Sequence, residues 1–163
     1  MTEYLGLTAN GREVYYDEAD SHAPLHTKDD SDLLAFVRKA LPCIEAVGAN
    51  VYAEVDLGRE IGRSALVKAH EDEVFYAKRI GRETYGRFVT DRPRKPTSYL
   101  TVVLHQQPDC NYNLWSVWYG RAVPSTPGGL HASPESETFW RGHALIVDMA
   151  DIQGDTMTTY WPW

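Results

Sequence analysis

The feature that most constrains this fold is a change in apolar period near residue 50. Before it, Leu33, Leu34, Val37, Ala40, Leu41 and Ile44 recur at helical spacing, and Asp30 or Ser31 is placed to accept hydrogen bonds from the first-turn amides. The spacing predicts one helix near residues 31–41, ended or redirected by Pro42, which lacks an amide proton. After it come short β-rich segments: Val51–Leu57, Ser64–Lys68, Glu73–Ile80, Arg87–Thr90, Tyr99–Gln106, Tyr112–Tyr119 and His143–Met149. Most connections between them are too short for a crossover helix, which requires antiparallel pairing. The expected architecture is α+β, an N-terminal helix packed on a mainly antiparallel sheet, in a single domain over residues 1–163.

Turn chemistry refines this outline. Asn10-Gly11 between two apolar stretches predicts a small hairpin, and Pro108-Asp-Cys-Asn111 reads as the tip joining Tyr99–Gln106 to Tyr112–Tyr119. The polar stretch up to Asp30 reads as a connector, and Ala122–Ser136, rich in Pro, Gly, Ser and Thr, as a long surface loop.

With 163 residues and 43% hydrophobic composition, the chain can fill one core unaided. No run approaches the roughly 18 apolar residues of a membrane span, and the first residues lack a basic-then-apolar leader pattern, which points away from membranes and to the cytoplasm. Cys43 and Cys110 form neither a disulfide framework nor a metal pair, in keeping with a reducing compartment.

The net charge of −7 is unevenly spread. Residues 1–58 hold 11 acids against 4 Lys and Arg, residues 59–95 hold 6 against 10, and residues 96–163 hold 6 against 2. Only the middle stretch carries the sign expected of an anion-facing surface. Solvated faces of opposite sign account for the same numbers.

Gly-Arg dipeptides occur six times, at Gly11, Gly58, Gly62, Gly81, Gly86 and Gly120, where chance pairing of 12 glycines and 11 arginines gives about one. A glycine lets backbone approach a ligand, and arginine offers a planar fork of donors for phosphate or carboxylate. Turn glycines beside cheap surface arginines are the plainer explanation. Arg63 and Arg87 belong to this set. The strand Val74–Ile80 reads as a sheet edge with Tyr76 and Lys78 on one face and Phe75, Ala77 and Arg79 on the other, and Arg82 follows the glycine. An edge lysine that deters aggregation explains Lys78 alone but not the whole cluster.

Among six histidines, His143 stands out because it opens an apolar strand just after Phe139 and Trp140, so packing can fix its ring. A packed core histidine is the bland alternative. His105 falls on the Thr101 and Val103 face of its strand, and His22 and His26 are separated by Pro24, which opposes a helical metal pair. Trp115, Trp118, Tyr119, Trp140, Trp161 and Trp163 offer a stacking platform for bases or sugars, or simply core. No phosphate loop, dinucleotide fingerprint, nucleophile elbow or cysteine zinc pattern is present, so neither cofactor nor metal is expected.

Ile61-Gly-Arg-Ser64, Tyr76-Ala-Lys-Arg79 with Arg82 and Phe88, Thr97, Leu100-Thr-Val-Val-Leu104, Tyr112 with Leu114, Gly120, Phe139-Trp140 and His143-Ala-Leu145 resemble a group of small prokaryotic proteins. The order of a helix, a basic strand and a Thr-rich strand is similar to the superfamily of barnase, EndoU, colicin and RelE-like nucleases. The resemblance covers about half the chain. It implies metal-independent RNA cleavage, with attack of a ribose 2′-hydroxyl on its neighbouring phosphate. On that reading His143 moves protons, while Lys78, Arg79 and Arg82 neutralise charge. Thr101, Ser98 or Tyr119 donates hydrogen bonds, and Arg63, Arg87 and Trp140 complete the binding surface. Members often place a histidine on or near the N-terminal helix, whereas residues 31–41 contain none.

Two other functions fit the composition. An immunity- or antitoxin-like module would use its acidic N-terminal region to bind a basic protein partner. A noncatalytic nucleotide-binding domain would use the arginines and tryptophans on a phosphate-bearing ligand. Convergence of Lys78, Arg79 and Arg82 with a histidine in one concavity favours the enzyme, and dispersal favours the module.

Overall fold

Asn10-Gly11 closes the first hairpin, pairing β1 (Thr2–Leu7) antiparallel with β2 (Glu13–Asp17). The Asn10 side-chain amide donates to the Ala46 carbonyl at 2.7 Å and its oxygen accepts from the Ala46 amide at 3.0 Å, so the turn is pinned to the segment behind the helix. The structure, a computed structural model, describes residues 2–17, 19, 31–70, 74–78, 85–127, 132–148 and 156–158. The expected cap Asp30, residues 20–29 of the connector before it, among them His22 and His26, and Trp161 and Trp163 lie outside the described residues.

Helix α1 is Ser31–Ala40, and Pro42 starts a 3-10 turn over Leu41–Cys43. It follows the hairpin, so it is not the N-terminal element. The strands after it are β3 (Asn50–Asp56), β4 (Gly62–Ser64), β5 (Leu66–Lys68), β6 (Val74–Lys78), β7 (Tyr85–Val89), β8 (Lys95–Thr97), β9 (Tyr99–Gln106), β10 (Tyr112–Tyr119), β11 (His143–Ile146) and β12 (Thr156–Thr158). A second helix, α2 (Pro134–Gly142), occupies the end of the expected loop and the residues beyond it. Ser133 and Ser136 form its capping box and Pro134 fills its first turn, where a missing amide proton costs nothing.

The chain forms two compact units, residues 1–64 with 96–122 and residues 65–95 with 123–163. In the first, the sheet order is β1-β2-β10-β9-β3. Pairing is antiparallel except between β2 and β10. Leu33, Val37 and Leu41 from the helical stretch pack with Val55, Leu100 and Leu114 of one sheet face in a buried core. Each such side chain contributes roughly 1.5–3 kcal/mol through burial.

The second unit has sheet order β12-β6-β7-β11-β5, antiparallel except between β7 and β11. Val67, Val89, Ala144 and Ile146 form the buried cluster on one of its faces. Strand β6 lies between β12 and β7, which corrects its expected place at a sheet edge. Its sequence, four apolar or aromatic residues and a terminal lysine, looks the same whichever neighbours it has. The true edge beside β11 is β5.

Candidate functional site

His143 ends α2 and starts β11, where the backbone turns from helix to extended at φ −135° and ψ 153°. Its Nδ1 lies 2.9 Å from the Phe139 carbonyl, one of the last-turn acceptors that a helix cannot satisfy by itself. Because a carbonyl only accepts, this bond puts the proton on Nδ1 and leaves Nε2 of the neutral ring as an acceptor. The imidazole also stacks on the Phe139 ring, with centroids 4.1 Å apart and planes 4° apart. Packing and a hydrogen bond therefore fix a half-buried histidine.

The residue opposite it is Lys68 on β5. Ala69 N–H donates to the Gly142 carbonyl at 3.0 Å and Ile146 N–H to the Ala65 carbonyl at 2.7 Å. By the alternation of an antiparallel ladder, His143 and Lys68 then form a non-hydrogen-bonded pair, whose Cα atoms are about 4.5 Å apart and whose side chains share a face. The Lys68 carbonyl points away from β11, and Arg92 NH1 donates to it at 2.8 Å, closing the sheet edge. The exposed Lys68 side chain thus extends from the same face of the sheet as the fixed imidazole. Lys68 and Arg92 escaped the sequence reading. The signal that could have found Lys68 was its position at the end of an apolar strand in the basic stretch.

The other sequence-predicted residues are placed as follows. Lys78 ends β6 opposite Tyr85 and Thr156, with β7 lying between it and β11, so it is not the histidine's neighbour. Arg79 and Arg82 lie outside the described residues. Arg87 is buried, donating from NH1 to the Trp140 carbonyl at 2.8 Å and to the Arg141 carbonyl, with its guanidinium 5.8 Å from the Tyr76 ring centroid. Trp140 is buried too, its Nε1–H donating to the Pro124 carbonyl at 3.1 Å. Both residues thus hold α2 and its flanks rather than offering a binding surface.

Arg63, Ser98, Thr101 and Tyr119 belong to the first unit, not to the unit of His143. Thr101 is fully buried and its hydroxyl donates to the Gly120 carbonyl at 2.8 Å, which removes it as a donor to substrate. Ser98 bonds Asp56, whose carboxyl is held below its ordinary range first by the Gly58 amide and then by this hydroxyl. Tyr119 packs edge-on against Phe36 with ring centroids 6.2 Å apart, and Arg63 is exposed on β4.

A second polar cluster in the first unit centres on Arg121. Its Nε and NH2 donate to Glu54 Oε1 at 3.1 and 2.8 Å, Ala122 N–H donates to Oε2 at 2.8 Å, and the guanidinium lies 4.5 Å from the Tyr99 ring centroid. These bonds, the Arg121 one foremost, hold the Glu54 carboxyl below its ordinary range. Toward the other end of β9, His105 stacks on Trp115 at 4.2 Å. Arg38, Arg87, Arg92, Arg121 and Arg141 each serve a partner within the fold.

The Gly-Arg excess has a structural account at five of its six sites. Gly11, Gly58 and Gly120 adopt φ of 78°, 77° and 119°, which L side chains rarely take. A Cβ on Gly62 would lie 2.6 Å from the Tyr119 ring, and one on Gly86 would meet Phe88. Gly81 lies outside the described residues.

Cys43 and Cys110 are exposed and free, and no helix among the described residues is long and apolar enough to cross a membrane. No protein-family model, curated protein or solved structure matches the chain.

Proposed function

We propose that the second unit carries an endoribonuclease-like centre at the β5–β11 edge, with His143 as proton acceptor and Lys68 as the cation beside it. The observation that carries the reading is the fixed ring. Its Nδ1 is committed to Phe139, its face to the Phe139 ring, and its strand partner is a lysine. A general base needs an oriented lone pair, and a transition state that gains negative charge needs a nearby cation.

In the proposed reaction Nε2 takes the proton of a ribose 2′-hydroxyl as that oxygen attacks the adjacent phosphorus. The bond from phosphorus to the 5′ oxygen breaks, water supplies the proton for the leaving oxygen, and the products are a 2′,3′-cyclic phosphate and a 5′-hydroxyl. The Lys68 ammonium stabilises the extra charge of the phosphorane. The basic sheet-edge surface expected at β6 is assigned instead to β5.

The commitment of Arg38, Arg87, Arg92 and Arg121 to partners within the fold supports a second reading, an acidic module that binds a basic protein partner. One assay separates the two. Mixed-sequence RNA incubated with the full chain in excess chelator yields fragments ending in cyclic phosphate if the centre acts as proposed. Intact RNA under all buffer conditions rejects the nuclease and leaves the noncatalytic readings, the module first.

A further inference from the structure

Sheet edges expose unpaired backbone groups, and of the four edges of the two five-stranded sheets three are short or blunted. In the first unit, β1 has an irregular register between Tyr4 and Gly6, with Gly6 at φ 146°. In the second, β5 and β12 are three residues each, and Arg92 covers the outward carbonyl of Lys68. Strand β3 differs. It is seven residues long, regular in register against β9, and contains neither proline nor lysine.

Its open groups can be assigned from the ladder. Leu57 N–H donates to the Ser98 carbonyl at 2.9 Å and Gln106 N–H to the Ala49 carbonyl at 2.8 Å. Val51, Ala53 and Val55 therefore bond inward to β9, and the N–H and C=O groups of Asn50, Tyr52, Glu54 and Asp56 point outward. None of these outward groups has a backbone partner among the described residues. All four residues are exposed, Tyr52 at 56%.

We propose that β3 pairs antiparallel with β3 of a second copy of this chain, about a two-fold axis at Ala53. In that register Asn50 faces the partner's Asp56, and Tyr52 faces the partner's Glu54, whose carboxylate is already bonded to Arg121 and Ala122, so no like charges are opposed. On the other face Val51 meets the partner's Val55, and Ala53 meets its own symmetry mate. That last pair is non-hydrogen-bonded and has Cα atoms about 4.5 Å apart, a spacing a small side chain suits. An in-register parallel pairing would set Glu54 on Glu54 and Asp56 on Asp56, so the same charges that permit the antiparallel dimer oppose the parallel one. The inference does not depend on the nuclease reading, since its residues lie in the other unit.

Sedimentation equilibrium of the full chain over micromolar concentrations tests it, together with Tyr52→Glu and Tyr52→Lys. The wild type is predicted to be a dimer. Tyr52→Glu places like charges in both symmetric pairs and should raise Kd at least about tenfold, while Tyr52→Lys places opposite charges there and should lower it. The opposite signs at one exposed position separate an interface effect from misfolding. A monomer at every concentration, or a dimer that both substitutions leave unchanged or weaken, overturns the proposal.

Discussion

Arg87 on β7 and Trp140 on α2 are joined by a hydrogen bond of 2.8 Å from a buried guanidinium to a backbone carbonyl, 53 residues apart in sequence. The Arg141 carbonyl accepts from the same nitrogen, so one positive charge meets two acceptors at the C-terminal end of a helix. Replacing Arg87 by methionine leaves both carbonyls without that donor in a buried setting. The expected loss is roughly 2–4 kcal/mol, read as a lower denaturant midpoint at unchanged slope.

Gly120 combines a φ of 119° with a Cβ position 2.6 Å from Ser64 Oγ. Gly120→Ala is expected to destabilise the first unit by roughly 1–3 kcal/mol, whereas Gly11→Ala, at φ 78° with open space around the Cβ, carries only the backbone cost. Thermal unfolding of both variants checks the order.

Glu54 has a carboxyl pKa lowered from its ordinary 4.5, mainly by the Arg121 hydrogen bond. A carboxylate with a depressed folded pKa contributes stability that is fully present above the unfolded value and is lost as pH falls through the folded one. Glu54→Gln should therefore cost about 1 kcal/mol at neutral pH, in line with a geometrically good but partly solvated pair. The difference from wild type should shrink as the pH of an unfolding series is taken below 4.5.

Periodicity made much of this fold legible. Tyr99–Gln106 and Tyr112–Tyr119 have the bounds read from sequence, because alternation and the Pro108 turn act locally. Helix α2 was not legible, since Ser133, Pro134 and Ser136 look like loop residues until their side chains are seen capping the first turn. His143 could be singled out from the aromatic pair before it. Its partner could not, because strand neighbours 75 residues apart are set by sheet order, and sequence gives no means of preferring Lys68 over Lys78. Arg87 and Thr101 read as surface donors because a buried arginine or threonine carries no local mark of the carbonyl it serves.

The central claim is that His143 moves a proton during RNA cleavage, and the most direct measurement is kcat/KM on a defined oligoribonucleotide for wild type and His143→Ala, with Lys68→Met in parallel. Removing a positioned general base is predicted to lower the value by about 10²–10⁴. Loss of the Lys68 charge should lower kcat with RNA binding largely retained, because the cation is assigned to the transition state. Circular dichroism of each variant should overlay the wild type. Cleavage by His143→Ala at the wild-type rate would contradict the account and leave that histidine as a structural cap on α2.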